Sequence, residues 1–288
     1  MNGEAQSLLA LLALPFMQRA LLAGVLSGTL GGLLGSFAVL RQLSFFSDAL
    51  GHAALLGITL GVVLGINPTL VLVPFAVLFA LLVSGLVERS RLSADALLNI
   101  VYSSSLAIAV VVLSRMPGAA AGLQQLLFGD ILGVSWLDVA LLAGLLLLVA
   151  LVLGFSLRAQ MLLSIDDALA RSRGVASERQ RLLFVTLLAL VVALSIKAVG
   201  VLLISAFVVI PACSARLLSR SFGSYLALAG GLGAAGAALG LLSSAVLDWP
   251  SGPAVVIVEL LGFVLALLGS TAGRSDAAAS AGLPDRVG

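Results

Sequence analysis

The hydrophobic positions of this chain fall into long unbroken runs, without the strict alternation of a half-buried strand. Runs of about 20 apolar residues recur along the chain, and each can cross a hydrocarbon core of about 30 Å as a helix. Nine spans are predicted, at 20–40, 44–66, 68–88, 93–114, 134–157, 180–197, 200–219, 222–247 and 252–270. Only Lys197 to Gly200 separates the sixth from the seventh, so these two also read as one broken helix. Backbone in lipid must satisfy its own hydrogen bonds, which leaves helices or a closed barrel. Barrel strands alternate apolar and polar positions, and these runs do not. The expected fold is all-α: a polytopic integral membrane protein of eight or nine transmembrane helices. Residues 1–19 read as an N-terminal interfacial lead-in and 20–270 as one membrane domain. The stretch 271–288, rich in Ala, Ser and Gly, reads as a disordered tail. No basic stretch followed by a cleavage site marks residues 1–18 as a removed signal.

Composition sharpens this picture. Hydrophobic residues make up 61% of the 288 and charged residues 10%, against about 25% charged in a soluble globular domain. The mean hydropathy is +1.23. Charge this sparse cannot coat a surface facing water. The net charge of +2 is therefore read as topology, and no nucleic-acid partner is expected. With the N-terminus outside and the C-terminus in the cytoplasm, Arg41, Arg89, Arg91, Arg158, Arg171, Arg173, Arg179, Arg181, Arg216, Arg220, Arg274 and Arg286 fall inside. Only Arg19, Arg115 and Lys197 fall outside, and the excess of basic residues on the cytoplasmic side selects this orientation. Cys213 is the only cysteine, so the chain forms no intramolecular disulfide and no thiolate cluster.

Glycines at Gly24, Gly28 and Gly32, and again at Gly230, Gly233, Gly236 and Gly240, predict close helix–helix approach in lipid. Pro74 and Pro211 lie inside spans, where each frees a carbonyl and can kink a helix.

The sizeable polar stretch on the inner side runs over 158–181. Ser164 and Asp167 have capping-box spacing before Ala168, Leu169 and Ala170, and Gly174 stands where a helix-ending glycine would. A short helix over 165–173 is predicted. Asp166 and Asp167 at its start and Arg171 and Arg173 at its end complement the helix dipole. It reads equally as a solvated surface helix or as a docking element for a cytoplasmic partner.

Ionisable groups inside lipid cost about 2.5–3.5 kcal/mol each on insertion scales and mark candidate functional sites. Asp48 and His52, the only histidine, stand at i and i+4 on one helix face, with Ser44 a turn earlier. In a span beginning at 44, His52 lies about 12 Å along the helix. A carboxylate and an imidazole so placed can ligate a divalent transition metal. The plainer reading puts Asp48 at the inner interface near Arg41 and His52 against a neighbouring carbonyl. Asp95, Asn99 and Ser103 form a second polar face in the fourth span and are candidates for the same pathway. Glu259, deep in the ninth span, has no assignable partner from sequence.

Several chemistries are excluded. A phosphate-binding P-loop ends in GK[ST], and the only lysine, Lys197, is followed by Ala198. No nucleophile-elbow sequence or H-E-x-x-H motif is present.

The stretch from Arg41 through Ser47, Asp48, His52 and Ala53 to Gly57 resembles the signature of metal-type ABC importer permeases, in which a basic residue precedes a Gly/Ser-Asp-x-x-x-His-Ala/Ser pattern. The likeness continues at Leu127–Leu132 around Asp130, at Gly200–Ser205 with Ile210-Pro211-Ala212 and Ala215-Arg216, and at Asp248–Pro253. Ser47 stands where the family commonly has glycine. Zinc-uptake permeases of bacteria are the nearest in pattern, and manganese and iron members share it. The resemblance implies a permease subunit in the bacterial plasma membrane, working as a homodimer. It implies a cytoplasmic ATP-binding subunit, which uses the ATP, and an extracytoplasmic metal-binding protein. It implies Asp48 and His52 as transient metal ligands, a coupling segment over 158–181 centred on Asp166–Arg171 and Gly174, and zinc as cargo rather than as a bound cofactor. Manganese or iron as cargo, a secondary transporter or channel without ATP, a membrane-embedded enzyme, and a siderophore or vitamin permease are the rivals.

Overall fold

A computed structural model describes residues 13–90, 92–115, 129 and 131–280, with the backbone alone for Thr69 and 272–280. Among these residues the chain is helical, with no strand. The helices are α1 (Pro15–Leu40), α2 (Phe46–Val63), α3 (Pro68–Arg89), α4 (Ala94–Leu113), α5 (Trp136–Ile165), α6 (Asp167–Ser172), α7 (Ser177–Val199), α8 (Val201–Leu218), α9 (Phe222–Leu247) and α10 (Ser251–Ser280), with a 3-10 turn at Ile131–Gly133. Nine of them, all but α6, are long and apolar enough to cross a membrane. The sixth and seventh spans are separate helices. Gly200, at φ +84°, closes α7 and opens α8, a conformation that L side chains resist.

Three boundaries differ from expectation by five residues or more, one of them the end of α5, at Ile165 rather than 157. α1 begins at Pro15, since proline is preorganised for the first helical turn. α10 runs on to Ser280, beyond the end expected at 270, because its Ala-rich continuation has high helix propensity. Most of the lead-in and the Leu127–Asp130 block, Gly129 excepted, lie outside the described residues.

α1 and α7 are the most enclosed spans, and α4 and α10 are mostly exposed. α1 is central because its glycines admit other backbones. A Cβ at Gly28 would collide with the Gly233 carbonyl of α9, and one at Gly32 with the Ala229 carbonyl. At Gly31 it would lie 2.7 Å from the Phe207 Cβ of α8. The small residues are thus used for close packing. Phe37, Phe46, Phe184 and Phe207 fill the core with full burial. Large apolar side chains on the periphery, such as Leu70, Leu147, Phe155 and Leu265, are exposed, as lipid contact requires.

Arg41, Val87, Ala94, Asp167 and Arg181 line one cavity and so mark one end of the bundle. Phe46, the first residue of α2, packs on Phe79 of α3 with centroids 5.8 Å apart. Phe79 stands eight residues above Val87, about 12 Å. The five-residue link from Arg41 therefore climbs into the bundle before α2 begins. A 6→1 bond from Leu43 N to Ala38 O and a bond from Gln42 N to Val39 O, with Gln42 at φ +57°, turn the chain there.

Candidate functional site

This raised start places Asp48 and His52 deep in the bundle. His52 packs edge-on against Tyr102 of α4, with centroids 5.2 Å apart, and Tyr102 is eight residues, about 12 Å, from the start of its helix. The His52 Nδ1 lies 2.9 Å from the Asp48 backbone carbonyl and 3.6 Å from the Asp48 Oδ1. Nδ1 therefore carries the proton and donates it to the carbonyl, leaving the Nε2 lone pair free, the form that ligates a metal. The carbonyl contact of the plainer reading is thus present. Asp48 stands in the first turn of α2, where the helix dipole favours its charge. The Ser205 hydroxyl of α8 reaches the Asp48 Oδ1 at 3.4 Å. Both side chains stay accessible, at 34% for Asp48 and 22% for His52.

Asp48, His52 and Ser205 are thus brought together across α2 and α8. A carboxylate, an imidazole nitrogen and a hydroxyl can hold a divalent cation loosely, with the remaining positions filled from elsewhere. Among the described residues no group of three or more His, Cys, Asp or Glu converges on one point.

Asp95, Asn99 and Ser103 are exposed on one flank of α4, with the Ser103 hydroxyl donating to Asn99 Oδ1 at 3.2 Å. The α4 residue that meets the pair is Tyr102, on the adjoining flank. Sequence reasoning did not name Tyr102 or Ser205 as site residues. Ser205 closes a motif run, but its reach to Asp48 is a tertiary fact.

Arg41 does not pair with Asp48. Its guanidinium donates to the Gln160 carbonyl at 2.8 Å, to the Gln160 side-chain oxygen and to the Ser164 hydroxyl at 3.1 Å, all on α5. It also stacks on Phe184 of α7, 4.5 Å from the centroid. Gln160 in turn donates to Gln180 on α7 at 3.0 Å. Burial, and secondarily the charge of Arg181, push the Arg41 guanidinium down to about 10, which leaves it charged at neutral pH.

The short helix is α6, and its cap differs from expectation. Asp166, not Ser164, is the N-cap. Its Oδ1 accepts from Ala168 N at 2.7 Å and Leu169 N at 3.0 Å. Ser164 still belongs to α5 and donates to the Gln160 carbonyl, because α5 runs to Ile165 before the chain breaks. Gly174 ends α6 at φ +77°, with Val175 N bonding Ala170 O at 3.0 Å. Ala170 is fully buried and anchors the helix, while Ala168, Leu169 and Arg171 are exposed. Asp167 accepts from Arg171 at 2.7 Å and lies 3.9 Å from Arg181. Burial would raise the Asp167 carboxyl, but the nearby Ser177 hydroxyl, the hydrogen bond from Arg171 and the charges of Arg171 and Arg181 outweigh it and hold it below the usual carboxylate range. At the far end of the bundle, Lys197 pairs with Asp138 at 2.6 Å and ties the end of α7 to the capped start of α5.

Known proteins resemble this chain over most of its length. The family model described as "ABC 3 transport family" matches residues 13–270. The chain is 32% identical, over 86% of its own length and 95% of the relative's, to the high-affinity zinc uptake system membrane protein of Haemophilus influenzae. It is 31% identical, over 87% and 90%, to a manganese import system permease protein of Streptococcus gordonii. Among solved structures it superposes on a chain of PsaBC from Streptococcus pneumoniae, solved with a Fab, with a TM-score of 0.80, 27% identity and coverage of 91% and 95%.

Proposed function

This chain belongs to the ABC 3 transport family, a family of metal-type importer permeases, and we propose that it carries zinc across the bacterial plasma membrane. It is a permease subunit and not an enzyme, since ATP hydrolysis belongs to a separate subunit. The observation that carries the reading is the accessible Asp48–His52 pair, with Nδ1 tied to the Asp48 carbonyl and Nε2 free, deep in a membrane bundle.

An extracytoplasmic metal-binding protein delivers the ion at the outer mouth. Asp48 Oδ1 and His52 Nε2 take it up, with Ser205 alongside, and water or a second permease copy completes the shell. So small a donor set favours release over retention, as a transporter needs. α6 is the coupling segment, and Asp166, Asp167, Ala168, Leu169, Ala170, Arg171 and Gly174 form or shape it. Exposed Ile165 and Leu169 present apolar side chains to an ATP-binding subunit. Asp95, Asn99 and Ser103 are proposed to line the same route on its wet side. The twelve-to-three bias in basic residues supports an outside N-terminus and a cytoplasmic C-terminus.

Manganese and iron are the competing cargoes, since both ions accept the same donors. The test uses the complex with its ATP-binding subunit in proteoliposomes. Asp48→Ala and His52→Ala, each checked for assembly, are expected to lower ATP-dependent zinc uptake by at least about tenfold. Normal uptake in both variants would sink the ligand assignment. Uptake that follows manganese in an equimolar mixture would reassign the cargo, and uptake without the ATP-binding subunit would favour a secondary transporter or channel.

A further inference from the structure

Glu259 stands eight residues into α10, about 12 Å from its start, and is only 5% exposed. Neither carboxylate oxygen has a hydrogen-bond partner. Among the described residues no other acidic side chain is buried with both oxygens unbonded. The group points into a cavity of about 100 Å³ between α8, α9 and α10, walled by Pro211, Ser214, Leu232, Gly236 and Leu239. The fold makes room for it: a Cβ at Gly236 would lie 2.7 Å from the Glu259 Cγ.

The helices packed against Glu259 offer no counter-charge in that cavity. The titratable groups of α8 are Cys213 and Arg216, and that of α9 is Tyr225. None of the three lines the cavity. Tyr225 donates instead to the Ser36 carbonyl of α1 at 3.1 Å. Over Ser251–Thr271, α10 has no ionisable residue besides Glu259. A bare carboxylate in such surroundings is strongly unfavourable, and a group so placed neutralises itself. A metal would need further strong donors, and the other side-chain oxygen on the wall, that of Ser214, is engaged with the Ile210 carbonyl at 2.8 Å.

We propose that Glu259 is a proton-binding site, distinct from the Asp48–His52 pair. The carboxylate takes up one proton released from the aqueous phase (RCOO⁻ + H⁺ → RCOOH) to become a neutral acid, and its hydroxyl donates to water held in the cavity. A space of this size has room for about three waters at ~30 Å³ each. α8 connects the two sites. It carries Ser205 against Asp48, and Pro211 and Ser214 against the Glu259 cavity. The inference rests on packing and not on which metal is carried.

Dicyclohexylcarbodiimide, an apolar reagent that adds to protonated carboxyls within membranes, tests this on the assembled permease–ATPase complex. Peptide mapping is expected to find the adduct on Glu259 at neutral pH, to find none in Glu259→Gln, and to find labelling fall as pH rises. Glu259→Gln, neutral and of the same shape, is expected to assemble with the ATP-binding subunit as the parent does. An unlabelled Glu259 at neutral pH in assembled complex would overturn the proposal, as would failure of Glu259→Gln to assemble. Labelling that rises at constant pH when N-methyl-D-glucamine replaces sodium and potassium would also overturn it, since the occupant would then be a metal cation.

Discussion

Single side chains here are decided by what lies within 4 Å of them. Gly32 of α1 and Gly231 of α9 both belong to glycine-rich helices that pack on each other, yet their surroundings are opposite. Gly32 faces the Ala229 carbonyl at contact distance, whereas nothing lies within 4 Å of an added Cβ at Gly231. Gly32→Leu is expected to cost more than ~4 kcal/mol and to leave no folded protein in membranes. Gly231→Ala is expected to be neutral or to stabilise by up to ~1 kcal/mol through helix propensity. Thermal unfolding in detergent, followed by loss of monodisperse protein, checks both. His52 shows the same dependence. Its type and spacing are legible in sequence, but the hydrogen bond that leaves Nε2 free required the helix to form around it.

At the scale of elements, Arg41 joins the loop that raises α2 to the end of α5 that leads into α6. On the proposed coupling role, a displacement of α6 would pass through Ser164 and Gln160 to Arg41, and from there to the start of the helix bearing Asp48. Lysine keeps the charge but loses the planar fork and the stacking on Phe184. Arg41→Lys is expected to lower metal uptake by about tenfold while ATP hydrolysis by the complex changes less than ~2-fold, the two being measured on one preparation. Equal loss of both activities would point to misfolding instead. α6 has its own test. Single cysteines at Ala168 and Leu169, both exposed, are expected to crosslink to the ATP-binding subunit, whereas buried Ala170→Cys is expected not to. The absence of crosslinks at every exposed position would remove α6 from the docking surface. Its N-cap was misplaced from sequence because Ser164 and Asp167 match a capping box equally well when the end of the preceding helix is unknown.

For the whole molecule, the proposed orientation combines alternation through the nine spans among the described residues with the bias of basic residues toward one side. In a Cys213→Ala background, a cysteine at Ala176 is expected to react with an impermeant maleimide only from the cytoplasmic face. One at Gly65 is expected to react only from outside. The reverse pattern would invert the proposed orientation. Length and hydropathy determined the all-helical class and the number of spans to within one, and the type and i, i+4 spacing of Asp48 and His52 marked them as candidates, because lipid permits few backbone solutions and penalises stray charge. Only the tertiary structure decided that α2 starts well inside the bundle, that Ser205 and Tyr102 close on the pair, and that Arg41 serves α5 rather than Asp48. It also decided that Glu259 faces a cavity whose walls carry no counter-charge. Those facts depend on which helices meet, as α1 and α9 do where their glycines let backbones touch. The chain spacing of residues far apart in sequence does not encode that distance.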